Sequence, residues 1–180
     1  MELQHREIPV EFLQRLPDGI KIVKRHGKEF MVVEQVLGPG GENLMSDAVH
    51  IHGEPSIRLG VRINGQEGLI FVDAFWGGHA KLYSFVPDLA GAAAEVDAFV
   101  PETRASLMVN RACDVDGCDC TRSIVLTLPD GKSRVYVCAR FGCPGHAIEI
   151  ADLPPTVSQT ISSINFFGVG GSEDDWLDQF

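Results

Sequence analysis

Cys113-Asp-Val-Asp-Gly-Cys118-Asp-Cys120 and Cys138-Ala-Arg-Phe-Gly-Cys143-Pro-Gly-His146 are the two runs on which the reading of this chain turns. All five cysteines fall inside 31 positions, in two clusters separated by seventeen residues. Between the clusters, Ile124, Leu126 and Leu128 alternate with Val125 and Thr127. Pro129-Asp130-Gly131 then turns the chain, and Val135, Tyr136 and Val137 return it to Cys138. That is the pattern of a β-hairpin, and it delivers the second cysteine cluster beside the first. Thiolates gathered on two turns suit a cation such as zinc, which needs four converging ligands and can take two from each turn.

The stretch from Cys113 to His146 resembles a zinc ribbon, in which a β-hairpin joins two cysteine-bearing turns. The resemblance implies one structural zinc. Zinc ribbons usually carry two residues between paired cysteines, whereas here Cys113 and Cys118, like Cys138 and Cys143, have four between them, and Cys118 and Cys120 have one. Six side chains therefore compete for four positions: Cys113, Cys118, Cys120, Cys138, Cys143 and His146. The preferred set joins Cys120 to Cys118 or Cys113 and adds Cys138 and Cys143. An iron–sulfur cluster also takes four thiolates, but its usual short-spaced series is missing, which ranks it below zinc. Buried free thiols are the plain alternative, and the two clusters flanking a hairpin argue against them. Asp114, Asp116 and Asp119 lack the glycine and terminal glutamate of a calcium loop.

Working outward, a chain of 180 residues with 44% apolar content makes one large domain or two small ones and can bury a real core. The cysteine count is odd and Met1 to Val10 has no basic start followed by an apolar run, so a reducing cytoplasm is the expected compartment. No apolar segment approaches the ~18 residues a membrane span needs, so a soluble protein without a membrane role is expected. The net charge of −10, from 15 basic against 25 acidic residues, disfavours a general affinity for nucleic acid, which rests on clustered Lys and Arg.

Upstream, Ile8, Phe12, Leu13 and Leu16 recur at helical spacing with Pro9 at a first helical position, and Pro17-Asp18-Gly19 ends the segment. Ile20 to Val23 and Glu29 to Val36 read as strands joined through Arg25-His26-Gly27-Lys28. Leu37 to Glu42 is a glycine-rich loop or a boundary between lobes. The clearest hairpin follows. Ile57, Leu59, Val61 and Ile63 alternate with Arg58, Gly60 and Arg62 before Asn64-Gly65, a two-residue turn that fixes Ile63 opposite Gln66, Leu59 opposite Ile70, Ile57 opposite Val72 and Arg62 opposite Glu67. Leu69 and Phe71 then lie on the wetter face, so a strand, a helix or a partner must cover part of it. A short strand is expected over Ala80 to Val86, and a helix from Asp88 with Leu89, Ala92, Ala93, Val96 and Phe99 on one face, stopped at Pro101. Ser106 to Asn110 and Ala147 to Ile150 read as strands on either side of the cysteine stretch, and Val157, Ile161 and Ile164 mark a helix after Pro154-Pro155.

Two further constellations carry possible chemistry. In His50-Ile-His52 the imidazoles project from one face if the segment is extended, and Glu54, Asp73 or His79 then completes a second metal site fit for metal-assisted hydrolysis. Solvent-facing histidines are the plain alternative. The end of the chain, Ser172-Glu-Asp-Asp-Trp-Leu-Asp-Gln-Phe180, sets Trp176, Leu177 and Phe180 among carboxylates after a glycine-rich link, a peptide suited to a partner's groove rimmed by Lys or Arg. It resembles the acidic, phenylalanine-ended tip of bacterial single-stranded-DNA-binding proteins, without the proline usual before the last residue. The plain alternative packs these aromatics onto the chain's own domain. No phosphate-cradling Gly-x-x-x-x-Gly-Lys and no Gly-x-Ser-x-Gly elbow occurs.

The expected architecture is a β-rich α+β fold of antiparallel hairpins with a few short helices and a zinc-ribbon-like C-terminal hairpin. It divides into a β-rich domain over 1–105, the ribbon module over 106–151 packed on it, and a short helix with the acidic aromatic tail over 152–180. Three functions compete: a non-catalytic, zinc-stabilised subunit or accessory protein of a heteromeric cytoplasmic complex; a small metalloenzyme centred on His50 and His52; and a single-stranded nucleic-acid-binding module whose tail recruits partners.

Overall fold

The computed structural model describes residues 8–78, 80–89 and 94–164. Strand outweighs helix, 43% against 9%, in three antiparallel sheets, which makes the chain β-rich as its alternating patterns imply. The chain enters through α1 (Val10–Gln14). Pro9 stands just outside it as the N-cap, one position before the first helical residue, and its carbonyl accepts from the amides of Phe12 and Leu13 at 3.0 and 3.1 Å. Phe12 is fully buried, which is what docks so short a helix. β1 (Ile20–Arg25) and β2 (Lys28–Val33) pair around His26-Gly27, whose φ values of 50° and 76° make the tight turn. β2 ends at Val33, short of Val36, because the amides of Glu34 and Gln35 turn aside to the Gly19 carbonyl.

The second sheet holds β3 (Met45–Ile51), β4 (Glu54–Ile63), β5 (Gln66–Val72), β6 (Lys81–Tyr83) and β7 (Asp97–Phe99). The β4–β5 register is the one the Asn64-Gly65 turn dictates: Ile63 faces Gln66, Arg62 faces Glu67, Leu59 faces Ile70 and Ile57 faces Val72. Ile57, Leu59, Val61 and Ile63 are all buried, each contributing ~1.5–3 kcal/mol by leaving water. β4's other edge is shared, with β3 on residues 54–57 and β7 on residues 60–62. Phe99 of β7 lies across Gly60, on the face that carries Leu69, so the cover for that face comes from the chain itself.

β7 corrects the helix expected from Asp88 to Phe99. Val96, Ala98 and Val100 are buried while Asp97 and Phe99 are half-buried, a period of two that overrides the helical spacing of Val96 and Phe99. Ala92 and Ala93 lie outside the described residues.

The third sheet has the order β11-β10-β9-β8, from β8 (Met108–Asn110), β9 (Arg122–Thr127), β10 (Arg134–Cys138) and β11 (His146–Glu149). Asp130 caps the turn between β9 and β10 by accepting from the amides of Lys132 and Ser133. The glycine-rich loop after β2 brings Leu37 onto Thr127, Val33 donates to the Ala74 carbonyl, Leu107 donates to the Ala98 carbonyl and Val96 to that of Ala139, so backbone bonds stitch the sheets together. One hydrophobic core runs from Ile8 to Ile164 through all three sheets. α2 (Pro155–Ser162) starts with Pro155 in its first turn and buries Val157 and Ile161. Its Ser162 and Ser158 hydroxyls accept from the amides of Ile148 and Ile150, at 2.9 and 3.0 Å, along the free side of β11. No helix among the described residues is long and apolar enough to cross a membrane.

Candidate metal centre

The β9–β10 hairpin sets Cys138 opposite Ser123, and the turns at its two ends converge. Cys113, Cys118, Cys138 and Cys143 bring their sulfurs within 4.8 Å of one another. The Cys113–Cys143 and Cys118–Cys138 separations are both 3.7 Å. Four sulfurs bonded to zinc at ~2.3 Å in a tetrahedron stand about 3.8 Å apart, so the spacing is that of ligands around a cation and far from that of a disulfide.

The two turns are copies of each other. In each, the first cysteine's amide donates to the carbonyl seven residues on, Cys113 to Cys120 and Cys138 to Gly145, at 3.0 and 2.9 Å. In each, the second cysteine's amide reaches back three residues, Cys118 to Val115 and Cys143 to Arg140, at 3.0 and 3.1 Å. The residue before the second cysteine is a glycine at positive φ, 83° at Gly117 and 80° at Gly142, where a side chain would be strained. The amides of Val115 and Arg140 approach the first sulfur of each turn at 3.5 Å, donors that favour thiolate. The shared pattern is Cys-x-x-x-Gly-Cys, twice.

Cys120, which the sequence reading prefers, lies outside this group of four. With a single residue between it and Cys118 there is no room for the same turn, and the Cys120 thiol instead meets the Arg122 carbonyl at 3.4 Å and Glu95 at 3.7 Å. His146 also stands apart from the four sulfurs. Its Nδ1 lies 3.0 Å from the Pro144 carbonyl and its Nε2 lies 3.1 Å from that of Ile164, with the ring edge-on to Trp76. Gly145, which has no local signature in the sequence, is required by the packing. A Cβ there would come within 2.6 Å of the Cys113 sulfur and 3.1 Å of the Cys138 Cβ.

The electrostatics suit a cation. Burial pushes the Cys113 thiol up to about 11 and pushes Cys138 up as well. The Cys120 amide, bonded to the Cys118 sulfur, holds that thiol below its ordinary value. A cation therefore displaces protons on entry, and binding weakens as the pH falls. Two positive side chains line the same cavity as Cys138 and Cys143. Arg140 is paired with Asp119, which raises its pKa, and Lys81 is lowered by burial against the opposing fields of Cys143 and Cys138. The buried Arg140 Nε–H has no acceptor among the described residues, and the thiolates that a cation would create are acceptors close by. The donor set thus fits a closed, four-thiolate site.

The second constellation is not assembled as an extended pair. His52-Gly53 forms the β3–β4 turn, with His52 at φ 54°, so the two imidazoles do not share a strand face. His50 Nε2 meets Asp47 at 2.9 Å, and Glu54 pairs with Lys21 at 2.8 Å and Arg25 at 3.6 Å. His52 Nδ1 lies 2.9 Å from Asp73, whose carboxyl is buried, raised in pKa by that burial, and bonded by the Phe75 amide. Among the described residues the four cysteines are the group that can hold a metal. His79 and the tail residues Trp176, Leu177 and Phe180 lie outside the described residues. No protein-family model matches the chain, and no curated protein or solved structure does either.

Proposed function

We propose that Cys113, Cys118, Cys138 and Cys143 hold one structural zinc ion, and that the protein is a zinc-stabilised, β-rich accessory subunit of a larger assembly with no catalysis of its own. The observation that carries the first half is the pair of 3.7 Å sulfur separations inside a four-sulfur group. Four protein thiolates close the coordination sphere, and a closed sphere leaves no position for water or substrate. Zinc is preferred to an iron–sulfur cluster because a single cation matches sulfurs at a tetrahedron's edge length. Thiolates kept for a metal also imply a reducing compartment, for which the cytoplasm is the natural choice.

The assembly half rests on surface chemistry. Leu82 is 51% exposed and Val86 87%, on a strand and loop at the outer side of the second sheet, and the aromatic, acidic tail adds a second candidate contact.

Elemental analysis of the full chain purified without chelator tests the metal, with one zinc per chain expected. Iron with acid-labile sulfide, or no metal, overturns it. A second metal lost on exchanging His50 and His52 for alanine would favour the metalloenzyme instead, and tight oligonucleotide binding at moderate salt would favour the nucleic-acid module. Co-purification of a fixed-stoichiometry partner from the native cell is the expected result for a subunit.

A further inference from the structure

β6 has its polarity inverted. Its middle residue, Leu82, points to solvent at 51% exposure, while Lys81 and Tyr83 on either side are half-buried and line the cavity between the second and third sheets. A strand lying on an apolar core places its apolar residues inward by the same alternation, so an inward lysine calls for a physical reason. Lys81 makes no ion pair and no side-chain hydrogen bond with any described residue. The cavity, of about 70 Å³, has Val72, Trp76, Val137 and Phe141 in its wall beside Asp73, whose carboxyl is paired with His52, and the sulfur-bearing residues it reaches are Cys138 and Cys143. Lys81 lies within the electrostatic reach of both.

We infer that Lys81, carried by a sheet other than the one that bears the cysteines, is the counter-cation of the metal centre and so a positioning residue for it. The inference rests on the zinc reading. Four thiolates around a divalent cation leave a net charge of about −2 in a partly buried site, and such a charge is costly unless positive groups face it. The amides of Val115 and Arg140 supply donors but no net charge. Arg140 divides its charge with Asp119, and Glu95, beside Cys120, adds to the negative side. Lys81 is the cation of this neighbourhood whose charge is not shared with a described carboxylate. β6 is held to β5 over only three residue pairs, so the attraction between Lys81 and the thiolates also ties that short strand to the cysteine module.

The test is zinc affinity of the full chain, measured by competition with a chromophoric chelator, together with the rate at which iodoacetamide alkylates the zinc-loaded thiolates. Lys81→Met should weaken zinc binding about tenfold or more, the loss typical of a partner that supports metal ligands, and should speed alkylation because an uncompensated thiolate is the better nucleophile. Lys81→Arg should restore both, and Lys24→Met, on the exposed side of β1, should change neither. If Lys81→Met does not fold, Lys81→Gln makes the same comparison with a neutral side chain. Wild-type affinity and alkylation rate in a folded neutral variant would overturn the inference while leaving the zinc site standing. A wild-type chain without zinc would instead remove the metal reading itself.

Discussion

The hairpin turning at Asn64-Gly65 and the hairpin turning at Pro129-Asp130-Gly131 are built alike along their strands and differ at their open ends. In the first, Ile57, Leu59, Val61 and Ile63 are buried, and beyond β5 the chain runs on into buried Ala74, Phe75 and Trp76. In the second, Ile124, Leu126 and Val135 are buried just as well, but the chain then enters turns in which Asp114, Val115, Asp116 and Gly117 are all exposed. The first of those turns has backbone bonds and sulfurs and almost no apolar anchor, whereas the second adds the buried Ala139 and the half-buried Phe141 packed against the core. Apolar burial accounts for the sheets without help from a metal. On the proposed reading a cation closes the cysteine turns and offsets the entropy of ordering them, above all in the exposed first turn.

That contrast can be broken from either side. Cys138→Ser should abolish metal binding and lower the unfolding midpoint by roughly 10 °C or more, since the coupled binding energy is large and ~1 kcal/mol moves a chain of this size by ~2–4 °C. Hydrogen exchange should then speed up in residues 113–120 and 138–145 and stay slow in residues 57–72; uniform loss of protection would show that the two regions are not held separately. Leu59→Ala attacks the other region and should cost ~2–5 kcal/mol with zinc stoichiometry unchanged. Loss of zinc from that variant would tie the metal to the core instead. Cys120→Ser sharpens the ligand set: stability should fall by only about 1 kcal/mol, with one zinc retained, and a chain that lost its metal would restore Cys120 as a ligand.

The smallest expected effect lies on the hairpin surface, where Arg104 and then Arg62 hold Glu67 at about 2, below its ordinary 4.5. A carboxylate depressed in the folded state stabilises above its unfolded pKa and loses that contribution as the pH falls from about 4.5 towards about 2. Glu67 is exposed, so solvent screens the pair, and Glu67→Gln should leave the midpoint at neutral pH nearly unchanged while flattening its decline in acid. A marked drop at neutral pH would show that the pair matters more than its exposure implies.

Much of this architecture is legible in the sequence because two-residue turns and alternating side chains are local. Asn64-Gly65 alone sets seven residue pairs in register. Legibility fails where one pattern admits two periods, as from Val96 to Val100, where strand alternation hides inside a helical spacing. It fails again at His50-Ile-His52, because a histidine at positive φ reads in sequence like any strand residue. For the metal centre, the cysteine clusters are plain but the choice among them depends on turn geometry. The glycine preceding Cys118 and Cys143 is the sign that pairs each with the cysteine five residues earlier and leaves Cys120 out. Gly145 and Lys81 carry no local signature, since what requires them is a sulfur or a charge brought in from distant sequence.

The two serine hydroxyls that α2 lays along β11 have a consequence for behaviour in crowded solution. A bare outer strand offers its amides to any extended peptide that drifts past, and this is how soluble β-proteins begin to stack into insoluble material. Ser158 and Ser162 occupy the amides of Ile150 and Ile148 with side chains that cannot extend a ladder. The molecule is thereby shielded along that margin from joining copies of itself, and removing both hydroxyls would turn a quiet border into an adhesive one.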